Sequence, residues 1–261
     1  MLKGIFETAK RYQYLLYNLI MRDLRVKYRR SFFGVLWSLL NPILTMLVIN
    51  AVFSHVFRFS VENFPLYLIS GQILFTFFNE STSGALFSVV GASALIKKIY
   101  VPKYMFPVEK VMFSFVNLLF SMIALVLFLV IYRVKATLTM LLFPIPILLL
   151  LMFCIGFGLI LSVFCVFVRD IEHLYRVLTT AWMYLTPVIY PLDAIAGNKF
   201  VYFVVQLNPL THYIMFFRNV VLYGTLPTQA EVLICCGYSV FFLVFGFVFF
   251  KLKQDKFILH I

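Results

Sequence analysis

The chain has 261 residues, of which 63% are hydrophobic and only 12% charged, with a formal net charge of +12. That balance excludes a water-soluble globule and points to an integral membrane protein with room for about six apolar spans of roughly 20 residues each. In a chain this apolar, the excess of Lys and Arg marks the membrane side that faces the cytoplasm and not a nucleic-acid surface.

Residues 1–33 predict an amphipathic helix lying in the membrane surface. Ile5, Ala9, Tyr12, Leu16, Leu19 and Ile20 recur at helical spacing, with Lys10, Arg11, Arg22 and Arg25 elsewhere around the helix. No short apolar core with a small-residue cleavage site is found there, so Met1 is expected to stay. Arg25, Lys27, Arg29 and Arg30 then hold the cytoplasmic end of a first span, about Gly34–Phe57, in which Trp37 suits the headgroup level and Pro42 is tolerated or kinks the helix. The loop RFSVENFP leads to a second span, about Leu66–Val90, carrying Glu80 as the one carboxylate well inside a span. An ionisable group at that depth is either functional or a protonated or hydrogen-bonded stabiliser of the bundle. On the same span Ser81, Gly84, Ala85, Ser88 and Ala92 form a small-residue stripe that permits close helix contact, within the chain or across a dimer seam.

In ASALIKKIYVPKYMFPVEKV, Lys97, Lys98, Lys103 and Lys110 cluster, and Pro102 and Pro107 are expected to interrupt any continuous helix, so this segment reads as cytoplasmic. Third and fourth spans, about Val111–Tyr132 and Met140–Val168, follow. Arg169 and Asp170 end the fourth, either as an ion pair in a turn or as a hinge. The fifth apolar run, VLTTAWMYLTPVIYPLD, stops at Pro187 and Pro191. The next two pieces, Phe200–Leu207 and His212–Tyr223, are about 8 and 12 residues long, which suits re-entrant or interfacial helices better than spans. A last span, about Val232–Phe250, ends in KLKQDK. Six spans, with the re-entrant pair uncounted, put both termini and about 17 of the 22 Lys and Arg on the cytoplasmic side. The expected fold class is therefore an all-α integral membrane protein forming one domain over residues 1–261.

The chemistry-bearing residues are sparse. Cys154, Cys165, Cys235 and Cys236 lie in apolar runs without the flanking His or Asp of a metal site, and His55, His173, His212 and His260 are scattered singly. No paired carboxylates or His with Asp stand at catalytic spacing, so no catalytic residue and no metal ligand is assigned. The phosphate-cradling G-x-x-x-x-G-K-[ST] pattern is missing, so any use of ATP must come from a partner. Aromatic residues make up 19% of the chain, flat apolar faces on which sugar rings can stack, although Phe and Tyr also face lipid.

The segments VKYRRSFFGVLWSLLNPIL, LIKKIYVPKYMFPV, VRDIEHLYRVLTTAWMYLTPVIYPLD and NPLTHYIMFFRNVVLYG together resemble the successive signatures of the permease subunit of bacterial ABC-type polysaccharide exporters, which handle O-antigen, capsule or teichoic acid. The resemblance runs from roughly Arg22 to Gly224. It implies a homodimer in the inner membrane, each copy bound to a separate ATP-binding cassette subunit that holds the ATP and Mg, with no cofactor on this chain. An undecaprenyl-linked glycan would pass outward between the two copies. The resemblance places a coupling helix on residues 94–107, with Leu95, Lys97, Lys98, Ile99, Tyr100, Val101 and Pro102 toward the ATPase, and a periplasmic gate on residues 191–226. Trp37, Tyr184 and Tyr190 become candidates for the glycan path, Trp37 otherwise being an interface anchor and Tyr190 a loop-packing residue. The rival classes are an ion-driven carrier, which would need more intramembrane ionisable groups than Glu80, and a membrane-embedded transferase, which would need a catalytic cluster.

Overall fold

A computed structural model describes residues 2–29, 33–34, 36–56, 63–98 and 101–260. Among them every regular element is helical: α1 (Leu2–Tyr28), α2 (Leu36–Val56), α3 (Phe64–Gly91), α4 (Ser93–Ile96), α5 (Met105–Ile131), α6 (Pro144–Phe167), α7 (Ile171–Tyr184), α8 (Lys199–Leu207), α9 (Pro209–Arg218) and α10 (Gln229–Lys253). Prolines stand at the first or second position of α3, α6 and α9 and at the third of α5, where the missing N–H has no helical acceptor to lose. Thr228 and Glu231 form a reciprocal capping box that starts α10.

Four helical runs are long and apolar enough to cross a bilayer: Phe64–Gly91, Met105–Ile131, Leu138–Phe167 and Gln229–Phe257. They take the places of the expected second, third, fourth and last spans. The expected first span is α2, whose apolar run is the shorter Leu36–Val52, with Pro42 inside the helix. The expected fifth span differs in kind. Its helix, α7, has 14 residues, or about 21 Å at 1.5 Å per residue, against a hydrocarbon core of about 30 Å.

The core lies where α3, α6, α7 and α10 meet. Phe78 stacks on Phe153 and Phe157 and meets Trp182 edge-on at 5.0 Å, while Phe242 closes on Phe153 at 4.9 Å. Ser81 and Ala85 of the small-residue stripe are fully buried inside the chain, and Gly158 of α6 faces the Ala85 methyl. Within the chain the stripe thus packs α3 on two helices, Ala85 against α6 and Gly84 against Lys110 of α5. A closer approach joins α6 to α10: a Cβ on Gly156 would run into the backbone of Phe242 and Leu243, and one on Gly246 into the backbone of Gly156.

The bundle has two chemically distinct ends. At one, Lys103 of the loop before α5 donates to the Gln254 carbonyl at 2.7 Å, and Phe257 and His260 of the C-terminal turn pack on Phe167. At the same end α1 docks on α5 through an ion pair between Asp23 and Lys110. Burial alone would raise the Asp23 carboxyl, but Lys110 and Arg22 outweigh it and hold its pKa below the ordinary value, so Asp23 is a carboxylate at neutral pH. The N-terminal helix, the 94–107 segment, the end of α6 and the tail therefore share one end, as the charge pattern requires.

Since Gly156 and Gly246 meet backbone, no side-chain rotation can make room there. Gly156→Ala or Gly246→Ala is expected to lower stability by about 1–3 kcal/mol through forced separation of α6 and α10. Gly237→Ala on the same α10, where nothing lies within 4 Å, should be neutral or slightly stabilising. Thermal unfolding of the detergent-purified variants checks the contrast.

Candidate functional site

The segment after α7 cannot continue the helix, because Pro187 has no N–H to give the Met183 carbonyl, and further on Pro191 has none for the carbonyl of Pro187. Thr186, Pro187 and Val188 are nonetheless buried, so their backbone needs other partners. Trp182, just before the break, packs near the middle of α3 against Phe78, whereas the Tyr190 carbonyl accepts from the Tyr67 hydroxyl at 2.9 Å near the opposite end of that helix. The irregular stretch thus runs about 16 Å along α3.

Two side chains from the helix pair after it satisfy this stretch. Asn208, between α8 and α9, donates to the Leu185 carbonyl at 3.2 Å and to the Thr186 hydroxyl at 2.8 Å, and accepts from the Trp182 indole at 2.8 Å. Its oxygen also caps α9 by accepting from the Leu210 N–H at 3.0 Å. Arg218, fully buried at the end of α9, donates to the carbonyls of Pro187 at 2.7 Å, Val188 at 3.1 Å and Tyr67 at 2.9 Å. Its guanidinium lies 3.4 Å from the centroid of the Tyr67 ring. Gly71 makes this possible, since a Cβ there would occupy the place of the guanidinium. Among the described residues no carboxylate pairs with Arg218; carbonyl dipoles and an aromatic face hold its charge.

These anchors give the pair its depth. α8 and α9 with its continuation to Tyr223 are bent by 83°. The bend sits beside Trp182 and Tyr238, the latter donating to the Leu207 carbonyl at 3.2 Å from about 9 residues, or ~14 Å, inside α10. The far end returns to the surface, where Thr139 donates to the Val220 carbonyl at 3.2 Å and Gly224 takes a positive φ of 64° beside Thr137. The two short apolar pieces therefore dip to mid-bundle and come back, in the manner of a re-entrant pair.

Tyr184 and Tyr190 belong to this region. Tyr184 is the exposed last residue of α7, and the Tyr190 hydroxyl donates to its carbonyl at 2.9 Å. Trp37 stands elsewhere, in a polar cleft between α2, α3 and α5. Glu80 lines the same cleft; its side chain is 39% exposed and stands 3.9 Å from Lys27 of α1, so it is neither deeply buried nor alone. In the segment expected to couple to a partner, Leu95 is half-buried, Lys97 and Lys98 are exposed, Val101 and Pro102 are half-buried, and Ile99 and Tyr100 lie outside the described residues. Arg169 and Asp170 are exposed and do not pair with each other; the neighbouring ion pair joins Arg176 to Glu172 at 2.6 Å. The four cysteines are free, and among the described residues no cluster of His, Cys, Asp and Glu is able to hold a metal.

Sequence reasoning missed two residues. Glu109 is 2% exposed inside α5, which begins at Met105 and not at Val111, because Pro107 falls in the first turn where proline is tolerated. Glu80 is thus not the one carboxylate within a span. Arg218 was readable as a cation inside an apolar piece, the default mark of a site, but its partners, two of them set by prolines about 30 residues earlier, were not.

A family model described as "ABC-2 type transporter" matches residues 14–222. An O-antigen export system permease protein RfbA of Myxococcus xanthus is 29% identical over 94% of this chain and 95% of its own length. A protein of the same description from Klebsiella pneumoniae is 31% identical over 81% of this chain and 82% of its own. The polysialic acid transport protein KpsM of Escherichia coli is 19% identical over 91% of this chain and 92% of its own.

Removing the guanidinium takes the side-chain donor from the Val188 carbonyl and one of two side-chain donors from the carbonyls of Pro187 and Tyr67, which keep the Tyr67 and Ser70 hydroxyls respectively. Arg218→Leu is expected to cost on the order of 3 kcal/mol or more, and Arg218→Lys less, because an ammonium reaches fewer of the carbonyls and loses the planar fork. Gly71→Ala should act in the same direction by displacing the same group. Thermal melts in detergent, with protease accessibility of the 185–224 region, provide the measurement.

Proposed function

Because the chain belongs to the ABC-2 type transporter family, we propose that it is the channel-forming membrane subunit of an ATP-driven exporter that moves a lipid-linked polysaccharide outward across the bacterial inner membrane. The observation that carries this reading is the polarity of the bundle: basic segments are gathered at one end, and a bent pair of short apolar helices dips in from the other. The chain is a multi-pass membrane protein homologous to O-antigen export permeases; its substrate is then a glycan of O-antigen, capsule or teichoic-acid type on an undecaprenyl carrier. The family implies an ATP-binding cassette partner. In this reading that partner holds ATP and Mg, docks on residues 94–107, and leaves no enzymatic step to this chain.

Further assignments follow from the same polarity. The basic end faces the cytoplasm and includes both termini, because cations stay on that side. Exposed Lys97 and Lys98 flank the ATPase contact, with Arg169 and Asp170 nearby as a hinge between α6 and α7. Two copies enclose the conduit, with the α7 face carrying exposed Tyr184 toward the path and residues 191–226 as the outer gate. Rigid-body movement of the coupling segment is the means by which the partner's cycle reaches that gate.

Deleting the chain is expected to abolish surface glycan and to strand lipid-linked glycan inside the cell. The double variant Lys97→Glu, Lys98→Glu should remain inserted, because both side chains are exposed, yet lose co-purification of the ATPase and at least tenfold of export. Cysteine labelling from outside should reach position 198 but not position 98. Export unchanged in the deletion, or labelling of position 98 alone, would defeat the assignment.

A further inference from the structure

We propose that the polar cleft between α2, α3 and α5 is a binding site for one uncharged sugar ring. The cleft has a volume of about 190 Å³. That is several times the ~30 Å³ share of one water and below the ~300–1,000 Å³ of drug-sized sites, a size for a single small ring. Its wall is unlike the rest of this chain: Asn41, Gln72, Thr76, Glu80, Ser114 and Asn117 line it beside the indole of Trp37. Amides, a carboxylate and hydroxyls around one indole are the donors, acceptors and stacking surface that a polyhydroxylated ring requires.

Gln72 points to an occupant. Its Oε1 is buried and, among the described residues, has no hydrogen-bond partner, a state that costs about 1–3 kcal/mol unless something fills it. A sugar hydroxyl would donate to it. Trp37 is 45% exposed and free to take a ring against its surface. The charges decide against a phosphate. Among the described residues the cleft's one cation, Lys27, stands 3.9 Å from Glu80, so the described lining is close to neutral and carries a carboxylate that a diphosphate would avoid.

The position fits a substrate met early. Lys27 belongs to the surface helix at the basic end, and the cleft runs from Glu80 to Gln72, about 12 Å along α3 toward mid-bundle. This inference rests on the glycan-export reading and deepens it. It separates Trp37, which would hold a ring within one copy, from Tyr184 and Tyr190, which lie apart from the cleft.

The test titrates the purified full chain in detergent with glucose, galactose, mannose, rhamnose and N-acetylglucosamine, each to its solubility limit, and reads tryptophan emission. At least one sugar should give a saturable change that disappears in Trp37→Phe and shifts tenfold or more to weaker binding in Gln72→Met. Inorganic pyrophosphate should give none. No saturable change with any sugar, a change that survives Trp37→Phe, or one untouched by Gln72→Met overturns the proposal. Surface glycan in cells then separates the two ideas. If deletion of the chain leaves the glycan in place, the export reading fails; if deletion removes it but Trp37→Phe with Gln72→Met exports normally, only the cleft fails. Unchanged melting of both variants ensures that a loss is not unfolding.

Discussion

Inside a bilayer a backbone carbonyl has no water to turn to, so every break in a helix must be answered by another part of the protein. The break after α7 is the demanding case here. Pro187 and Pro191 stop the helix part-way across, and the buried stretch that follows has its carbonyls met by Asn208, Arg218, Tyr67 and Tyr190. The re-entrant pair and the irregular stretch therefore need each other. Without Asn208 and Arg218 the Leu185 and Val188 carbonyls would lose their side-chain donors, and without those of Pro187 and Val188 the buried Arg218 would keep only Tyr67 and Ser70 as partners.

This mutual dependence links distant parts of the molecule through α3. Near one end of that helix, Tyr67 and Gly71 receive Arg218; at its middle, Phe78 meets Trp182; one turn further, the Tyr175 hydroxyl donates to Thr82 at 2.6 Å. Its other end passes directly into α4 and the exposed lysines. In the proposed reading, a push on the coupling segment acts on a stiff helix already bonded to the gate. Packed interiors pass on such displacements because they are dense and have few alternative arrangements.

Polar groups in this bundle fall into two kinds. In the break after α7 and the helix pair that follows, most are consumed internally, Asn208 meeting the Leu185 carbonyl and the Thr186 hydroxyl and Arg218 the carbonyls of Pro187, Val188 and Tyr67, while the buried Thr211 hydroxyl has no partner among the described residues. In the α2, α3 and α5 cleft an amide oxygen is left over and a carboxylate sits loosely opposite a lysine.

How much of this was legible in the sequence differs by feature. The membrane class, the four long helices, the gathering of basic segments at one end and the two short helices near Asn208 follow from run length, charge bias and proline, which are local properties that one chain displays in order. Membership in a transporter family was legible too, from four ordered segments. The sequence could not show that Pro107 falls in the first turn of α5 instead of breaking it, which put Glu109 inside the span, or that the small-residue stripe packs within the chain, Ala85 on α6 and Gly84 on α5. Nor could it pair Arg218 with Pro187 or set Trp37, Gln72 and Glu80 around one cleft. Those are contacts between residues up to about 150 positions apart, as with Arg218 and Tyr67. Hydropathy says that a segment is buried, while which carbonyl meets which donor depends on the relative height and rotation of packed helices, and only the tertiary structure fixes those.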